Sequence, residues 1–218
     1  DIFTTILGCE KAVIAPTMMG FFDWSALHCS NAGTFGEAYR KLEPAAIWDM
    51  DKRTSWNTHY KAIYLTNFLH ENQFRFKNIS QERIDFWLAQ ADFVKALMYF
   101  RLAQDWGEAV VAPSTEDASQ QAKSPINTIL TEAIQAAEAA LILPTFDKLT
   151  NAQGNNINSR QYASLGTVHT LLANIYAWMG GLYDKEEYWK KAEASASLVI
   201  EGKVGFYDLV SMKDLVEN

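Results

Sequence analysis

Three aspartates have a spacing that could support chemistry: Asp23, Asp49 and Asp51. The alternating pair Asp49 and Asp51 could bind a hard cation, and Asp23 with Asp49 could form the carboxyl pair, roughly 5–10 Å apart, that hydrolyses a glycosidic bond. The calcium-loop pattern fails because glycine and glutamate do not follow at the required positions. We interpret these residues as solvated loop acids and not as catalytic or metal-binding groups. We therefore predict no metal ion, no cofactor and no enzymatic activity.

The histidines and cysteines also lack the spacing of a reactive site. No His pair has ligand spacing, and the sequence contains no GxSxG, P-loop or GxGxxG motif. We expect His169 in the core, because it falls on an apolar helix face, and we expect His59 and His70 to be partly exposed. We expect Cys9 and Cys29 to be two free, buried thiols. A disulfide between them would be possible if the protein is exported.

Aromatic residues are the more informative class, with seven tryptophans, nine tyrosines and twelve phenylalanines. A sugar ring stacks its apolar C–H face on an aromatic ring while polar neighbours bond its hydroxyl groups, and such a platform must lie on a loop or an element end. Trp24 and Trp48 stand in weakly periodic sequence beside polar residues, so ligand binding and packing are equally good interpretations. The candidate ligand-binding residues are Trp24, Asp23, Trp48, Asp49, Asp51 and Arg53.

The composition bounds the class of protein. The chain has 218 residues, is 49% hydrophobic and carries a formal net charge of −7, so it can bury a large core. Its acidic residues are scattered, and it lacks the basic clusters that nucleic acid or an anionic membrane surface would require. No apolar run approaches the roughly 20 residues needed to span a bilayer.

The helix predicted over residues 89–107, AQADFVKALMYFRLAQDWG, is the central element of the scaffold that positions any functional residues. Apolar residues at three-and-four spacing cover most of its circumference, which predicts a helix buried between neighbours. One stripe contains Ile84, Trp87, Leu88, Ala91, Val94 and Met98, and the other contains Phe86, Phe93, Ala96, Phe100 and Ala103. We also expect Trp56 and Trp189, which begin or flank helices, to be core residues.

Capping and stop signals predict the other helices. Thr54 or Ser55 could start the helix that carries Trp56, and Ser80 with Glu82 could start the central helix, which Gly107 ends. Ser124-Pro125 predicts a third start, with proline at the first helical position. Ser159 is expected to cap a fourth helix that stops at Gly180-Gly181, and a fifth runs over about residues 186–201. The Asn-rich segment 149–159, between the third and fourth predicted helices, predicts a loop and is the best candidate for a mobile excursion.

The last two predicted helices form a recognisable pair. Small residues recur where they must approach: Ala163, Gly166 and Ala173 on the first, and Ala192, Ala194 and Ala196 on the second. Two helices joined by a short glycine-rich turn, with alanines at the contact, are typical of a tetratricopeptide-type unit of about 34 residues. We therefore predict an all-α fold of antiparallel helix hairpins.

The run AQADFVKALMYFRLAQDWGEAVVAP, from Ala89, resembles the hallmark segment of the SusD/RagB family, the starch-utilisation-type nutrient-binding lipoproteins of Bacteroidetes outer membranes. The family segment reads roughly (A/G)EARFLRAYYYFxLVxxYGxVP. The family's glutamate is replaced here by Gln90, and its two arginines are replaced by Asp92 and Lys95. Its valine-proline pair is replaced by the longer run VVAP at 110–113. The matching residues are Ala89, Ala91, Phe93, Ala96, Tyr99, Phe100, Leu102 and Gly107.

Three further segments resemble the family in the same order along residues 56–209. The first is its W-x3-Y-x2-I-x3-N helix, with Trp56, Tyr60, Ile63 and Asn67. The second is its helix ending in Leu-Pro, with Ile129, Ala133, Ala137 and the run LILP at 141–144. The third is its last hairpin, with Leu171, Leu172, Ala173, Tyr176, Ala192, Ala196, Val199, Ile200, Tyr207, Asp208 and Leu209.

This resemblance implies a domain organisation. We predict one helical SusD-like N-terminal region over residues 1–218, with irregular aromatic-rich loops and short helices in residues 1–55 and tetratricopeptide-like helices in residues 56–209. Members of the family are usually more than twice this length, so the family's C-terminal half is expected to be absent. The resemblance also implies that some of the ligand contacts lie in the loops before the W-x3-Y helix.

The resemblance also implies a function and a location. The intact protein would be a surface-exposed lipoprotein of the outer membrane, in contact with the membrane only through an N-terminal lipid that is not in this chain. It would capture an oligosaccharide or other nutrient and deliver it to a SusC-like TonB-dependent transporter, without covalent chemistry.

Two rival interpretations come from other classes. A helical-repeat adaptor would bind a peptide in the concave groove of the array, and would need polar and aromatic residues projecting into one groove. A small hydrolase would use the carboxylates of the aromatic loops, and its turnover would be abolished by Asp49→Asn.

Overall fold

The fold is all-helical in the computed structural model, which describes residues 5–6, 8–9, 56–117, 119–151, 154–156, 162–208 and 211. Within these residues the only β-type pairings are three isolated bridges. The prediction of an all-α fold is confirmed. None of the described helices is long and apolar enough to cross a membrane. Residues 5–6 and 8–9 are helical, and the helices described from end to end are α1 (Asn57–Glu71), α2 (Gln81–Trp106), α3 (Ile126–Ala139), α4 (Leu165–Tyr183) and α5 (Glu186–Ile200), with short 3-10 turns at Gln73–Arg75, Ala140–Ile142 and Phe146–Lys148.

The core lies around α2, as its apolar circumference predicts. Helices α1 and α3 pack against it, α4 packs against α3 and α2, and α5 packs against α4. Fourteen of its side chains are buried, so the helix carries no continuous polar face. Ser80 caps it by accepting a hydrogen bond from the Arg83 backbone N–H at 3.4 Å, and Gly107 ends it with a positive φ of 72°. The start and stop predicted for this helix are confirmed.

Three other predicted starts differ from the structure. Helix α1 begins at Asn57 with Trp56 at the N-cap and no side-chain cap. Pro125 occupies the N-cap of α3, one position before the first helical residue. Helix α4 begins at Leu165, and its cap is Ser164, not Ser159. Ser164 forms a reciprocal capping box with Thr167, which satisfies two orphan backbone donors.

The connection between α4 and α5 also differs from the prediction. Gly180 and Gly181 do not stop α4, which continues to Tyr183 and ends at Asp184 in the left-handed region, with φ 50°. Aspartate tolerates this conformation because its short side chain can bond locally. Gly180 has a packing role: a Cβ there would lie 2.7 Å from two ring carbons of Trp189 on α5.

The two glycines of α4 should respond in opposite ways to alanine. Gly180→Ala forces the Trp189 ring away, and we expect the lost packing to outweigh the gain in helix propensity, lowering the free energy of unfolding by about 1 kcal/mol. Gly181→Ala meets the same ring at 4.0 Å, an ordinary contact, and should raise stability by up to about 1 kcal/mol. Chemical denaturation of both variants checks the pair. A shift of the same sign in both would contradict the close approach.

Helix α2 also pins the ends of the Asn-rich segment, whose prediction as a loop is confirmed for its described residues. The Arg83 guanidinium donates hydrogen bonds to the carbonyl and hydroxyl oxygens of Thr150 and to the carbonyl of Asn151. Two turns later, the Gln90 amide donates to the Ala163 carbonyl at 2.7 Å and accepts from the Ala163 N–H at 3.0 Å. Helix α2 therefore bonds the chain at Thr150 and Asn151 and again at Ala163.

Candidate ligand-binding edge at the Trp56 end

The six predicted ligand-binding residues, Trp24, Asp23, Trp48, Asp49, Asp51 and Arg53, lie outside the described residues, so their role stays a prediction. Arg53 is three positions before Trp56 in the sequence. The described surface that adjoins the predicted segment is therefore the start of α1, where α1 meets the end of α2.

Aromatic rings cluster at this end of the α1–α2 pair. The Trp56 ring contacts the Tyr60 ring edge-on, with centroids 5.6 Å apart, and tilts against Trp106 at 6.1 Å. His59 meets Trp106 edge-on at 5.2 Å. Trp56 and Trp106 are half-buried, so Trp56 is not the full core residue that the sequence predicts, and part of its surface remains at the edge. The Lys123 ammonium lies 5.6 Å from the centre of the Trp56 ring.

Lys123 reaches this ring from a long loop, residues 109–124, whose ends meet. Ala109 and Ser124 exchange backbone hydrogen bonds of 3.3 and 2.7 Å, which close the loop at its base. The first limb of the loop, residues 110–115, then runs along α1. The Tyr60 hydroxyl donates to the Val110 carbonyl at 2.9 Å and accepts from the Val110 N–H at 2.7 Å, so one side chain holds the start of the limb.

The second anchor of the limb is Ala112. Its N–H donates to the Tyr99 hydroxyl at 3.1 Å, and its carbonyl accepts from the Asn67 amide at 2.7 Å. The Asn67 oxygen in turn accepts from the Lys95 ammonium at 2.7 Å. Burial lowers the pKa of Lys95, while Asp92, Glu132 and Glu71 oppose that shift. The extended limb thus finds its backbone partners in helix side chains.

A third group of polar contacts lies at the end of α1. The Glu71 carboxylate accepts hydrogen bonds from Ser114 and Thr115. These bonds lower the pKa of Glu71, with the Thr115 hydroxyl the largest contributor. Nearby, Nε2 of His70 lies 2.7 Å from Oδ1 of Asp92. His70 is half-exposed, as the sequence predicts.

His59 contradicts the predicted partial exposure. It is only 6% exposed, and both of its ring nitrogens are buried without a hydrogen-bond partner in the part of the chain that the structure describes. Burial, reinforced by the Arg101 cation, lowers the pKa of His59 to about 4. The side chain is therefore neutral at pH 7 and serves as a packing ring against Trp106.

What this edge can do chemically is bind. It presents a partly exposed aromatic ring beside a lysine and a polar loop, a combination that suits an amphipathic ligand. Among the described residues, no group of three or more His, Cys, Asp or Glu is placed to hold a metal ion. Cys9 is buried with a free thiol, whereas Cys29 lies outside the described residues.

Sequence reasoning missed several residues of this edge. Lys123 and Glu71 carry no sequence signal, because their partners are 67 and 44 positions away and neither belongs to a motif. The pairing of Trp56 with Trp106 had a weak signal, since both residues stand at helix ends. The prediction of Trp189 as a core residue is wrong: it is 47% exposed, although one part of its ring packs against Gly180.

Comparison with known proteins places this fold. A family described as SusD-like, "Starch-binding associating with outer membrane", matches residues 28–148. A SusD superfamily structure from Bacteroides thetaiotaomicron VPI-5482 superimposes with a TM-score of 0.76 at 17% identity, covering 98% of this chain and 49% of that one. One from Parabacteroides distasonis ATCC 8503 gives 0.70 at 18% identity, covering 92% and 43%.

A third solved structure, a laminarin-binding SusD-like protein, gives a TM-score of 0.68 at 16% identity and covers 95% of this chain and 46% of that one. No curated protein sequence matches this chain. The chain spans between 43% and 49% of the length of these three structures. At such identities the structures show the shared fold, and the family match covers more than half of the 218 residues. The chain belongs to the SusD-like family.

Proposed function

We propose that this chain belongs to a surface lipoprotein that captures an oligosaccharide by non-covalent binding. The observation that carries the proposal is the Trp56 edge, where a partly exposed aromatic ring lies beside a polar loop and next in sequence to the predicted ligand residues. Family membership supports it, since the family is described as starch-binding and one fold relative is laminarin-binding. Starch and laminarin are both glucose polymers, so glucans are the first ligands to test.

Replacing Trp56 with alanine should weaken glucan binding about tenfold or more, because truncating a central aromatic of a binding site costs roughly 1.4 kcal/mol or more. Isothermal calorimetry with maltooligosaccharides and laminarin oligosaccharides measures the effect. The matched control is Trp189→Ala, which removes a partly exposed tryptophan of α5 and should leave the affinity unchanged. Equal losses in both variants, or release of shorter sugars by the wild-type chain, would overturn the proposal.

We further propose that a SusC-like TonB-dependent transporter in the outer membrane receives the ligand. What supports this is the resemblance, the description of the family as associating with the outer membrane, and a set of large exposed apolar side chains on α4 and α5 that suit a protein partner. Co-purification with a barrel encoded beside the gene tests it. The apolar side chains are Trp178, Leu182, Trp189 and Ile200.

A further inference from the structure

The loop over residues 109–124 is held at two places that lie far apart. Its base is closed by the Ala109–Ser124 bridge beside Tyr60, near the start of α1. Its tip, Ser114 and Thr115, is held by Glu71, the last residue of α1. Glu71 follows Tyr60 by 11 residues on α1, which rises about 1.5 Å per residue, so the two attachment points are roughly 16 Å apart.

The tip attachment depends on one carboxylate. Glu71 accepts from the Ser114 hydroxyl at 2.8 Å and from the Thr115 N–H at 2.9 Å, and it also accepts from the Thr115 hydroxyl. A carboxylate offers about four acceptor sites and no donor, so it matches three converging donors better than any neutral side chain. No other described side chain is recorded in a hydrogen bond to either loop residue from outside the loop.

The placement of this glutamate runs against the preference of its own helix. A carboxylate in the last turn of a helix meets the negative end of the helix dipole, where lysine, arginine or histidine is favoured. The loop donors offset that repulsion, and the Lys95 cation of α2 adds to them. The titratable groups around this point are His70 of α1, Asp92 and Lys95 of α2, and Glu132 of α3.

We propose that Glu71 is a positioning residue: its carboxylate fixes the tip of the 109–124 loop on α1, and this keeps the first limb and the Trp56 edge in place. Between tip and base, the limb is held by Tyr60 at Val110 and by Tyr99 and Asn67 at Ala112. Loss of the tip bonds therefore removes the outermost of its three attachments and leaves only these side-chain bonds along the limb. The loop's effect on ligand affinity rests on the proposed function, whereas the loop's attachment does not.

Amide hydrogen exchange on the full chain, followed by NMR, tests the attachment without any ligand. In Glu71→Ala the Thr115 amide should exchange about tenfold or more faster, because a hydrogen bond to a charged acceptor is lost. The Val110 amide should accelerate about threefold or more, while Ile175 in the buried face of α4 stays unchanged. Glu71→Gln keeps one acceptor oxygen and should give intermediate rates at Thr115 and Val110.

Two further variants make the test specific. Thr115→Val removes the hydroxyl partner and should accelerate the Val110 amide in the same direction. Glu193→Ala, a matched change on the exposed face of α5, should alter neither amide. Equal acceleration of Thr115, Val110 and Ile175 in Glu71→Ala would show a global loss of stability and overturn the proposal. Acceleration confined to Thr115 would also overturn it, since the limb would then not depend on the tip.

A glucan titration separates this proposal from the proposed function. We expect Glu71→Ala to weaken glucan binding about threefold or more, while the exchange rate of the Ile175 amide in the core stays unchanged. If the wild-type chain binds no glucan but the exchange pattern appears, the proposed function fails and the loop attachment stands. If glucan binds equally well to wild type and Glu71→Ala despite a released loop, the positioning role for the ligand edge is refuted.

Discussion

Replacing Gln90 with alanine is expected to lower the free energy of unfolding by about 3–5 kcal/mol. Gln90 is 1% exposed and is the only described side chain that hydrogen-bonds both backbone groups of Ala163, which leads into α4. Truncation leaves a buried N–H and a buried carbonyl without partners, each costing about 1–3 kcal/mol, and adds a cavity. Urea denaturation measures the loss.

The substitution Gln90→Glu restores the residue that the resembling family carries at this position, and it should still destabilise this chain. An ionised carboxylate can accept from the Ala163 N–H but its second oxygen would face the Ala163 carbonyl, which now accepts at 2.7 Å. The introduced carboxyl should therefore have a raised pKa in the folded protein. We expect a loss of about 2–4 kcal/mol at pH 7.

The sign of the pH dependence follows from that raised pKa. Below the unfolded value of about 4.3 the carboxyl is protonated in both states and can donate to Ala163, so the variant approaches wild-type stability. Its stability then falls as the pH rises toward the folded pKa. The matched control is Gln135→Glu, on the exposed face of α3, which should show neither effect. A loss at pH 7 that acid does not relieve would contradict the geometry.

His59 should make the wild-type protein lose up to about 3 kcal/mol of stability between pH 6.5 and pH 4. Above pH 6.5 the imidazole is neutral in both states. As the pH falls, the unfolded chain binds a proton that the folded protein resists, because burial holds the folded pKa at about 4. Stability is therefore present at neutral pH and lost on acidification until the folded group also titrates.

The variant His59→Phe isolates this contribution. Phenylalanine keeps a ring against Trp106 and removes two buried nitrogens that lack partners, so we expect stability at pH 7 to be equal or higher. The difference between variant and wild type should grow by about 3 kcal/mol from pH 7 to pH 4, while the carboxylates common to both cancel. A difference that is independent of pH would show that His59 titrates normally.

The general fold was predictable because helix periodicity is a local property. The apolar stripes of α2 determine that it is buried, and Ser80 and Gly107 mark its ends by rules that need only a few neighbouring residues. The start of α4 was not predictable in this way. Ser159 and Ser164 are both acceptable caps by type, and what distinguishes Ser164 is its reciprocal bond with Thr167 and the attachment of Ala163 to Gln90.

The candidate edge was less predictable because its contacts join distant positions. The partner of Glu71 is 44 residues away, and the partners of Tyr60 and Asn67 are 50 and 45 residues away. The burial of His59 likewise depends on α2 covering α1, which a helix pattern does not specify for one polar residue. The resemblance to the family supplied what periodicity could not, namely the expectation of a ligand near the start of α1.

The most direct test of glycan capture is hydrogen exchange of the 218-residue chain with and without a bound glucan oligosaccharide. We predict protection around Trp56, in the described part of the 109–124 loop and in the segment that carries the candidate residues from Asp23 to Arg53, and no change in α4 or α5. Protection confined to α4 and α5, or no change at saturating glucan, would contradict it.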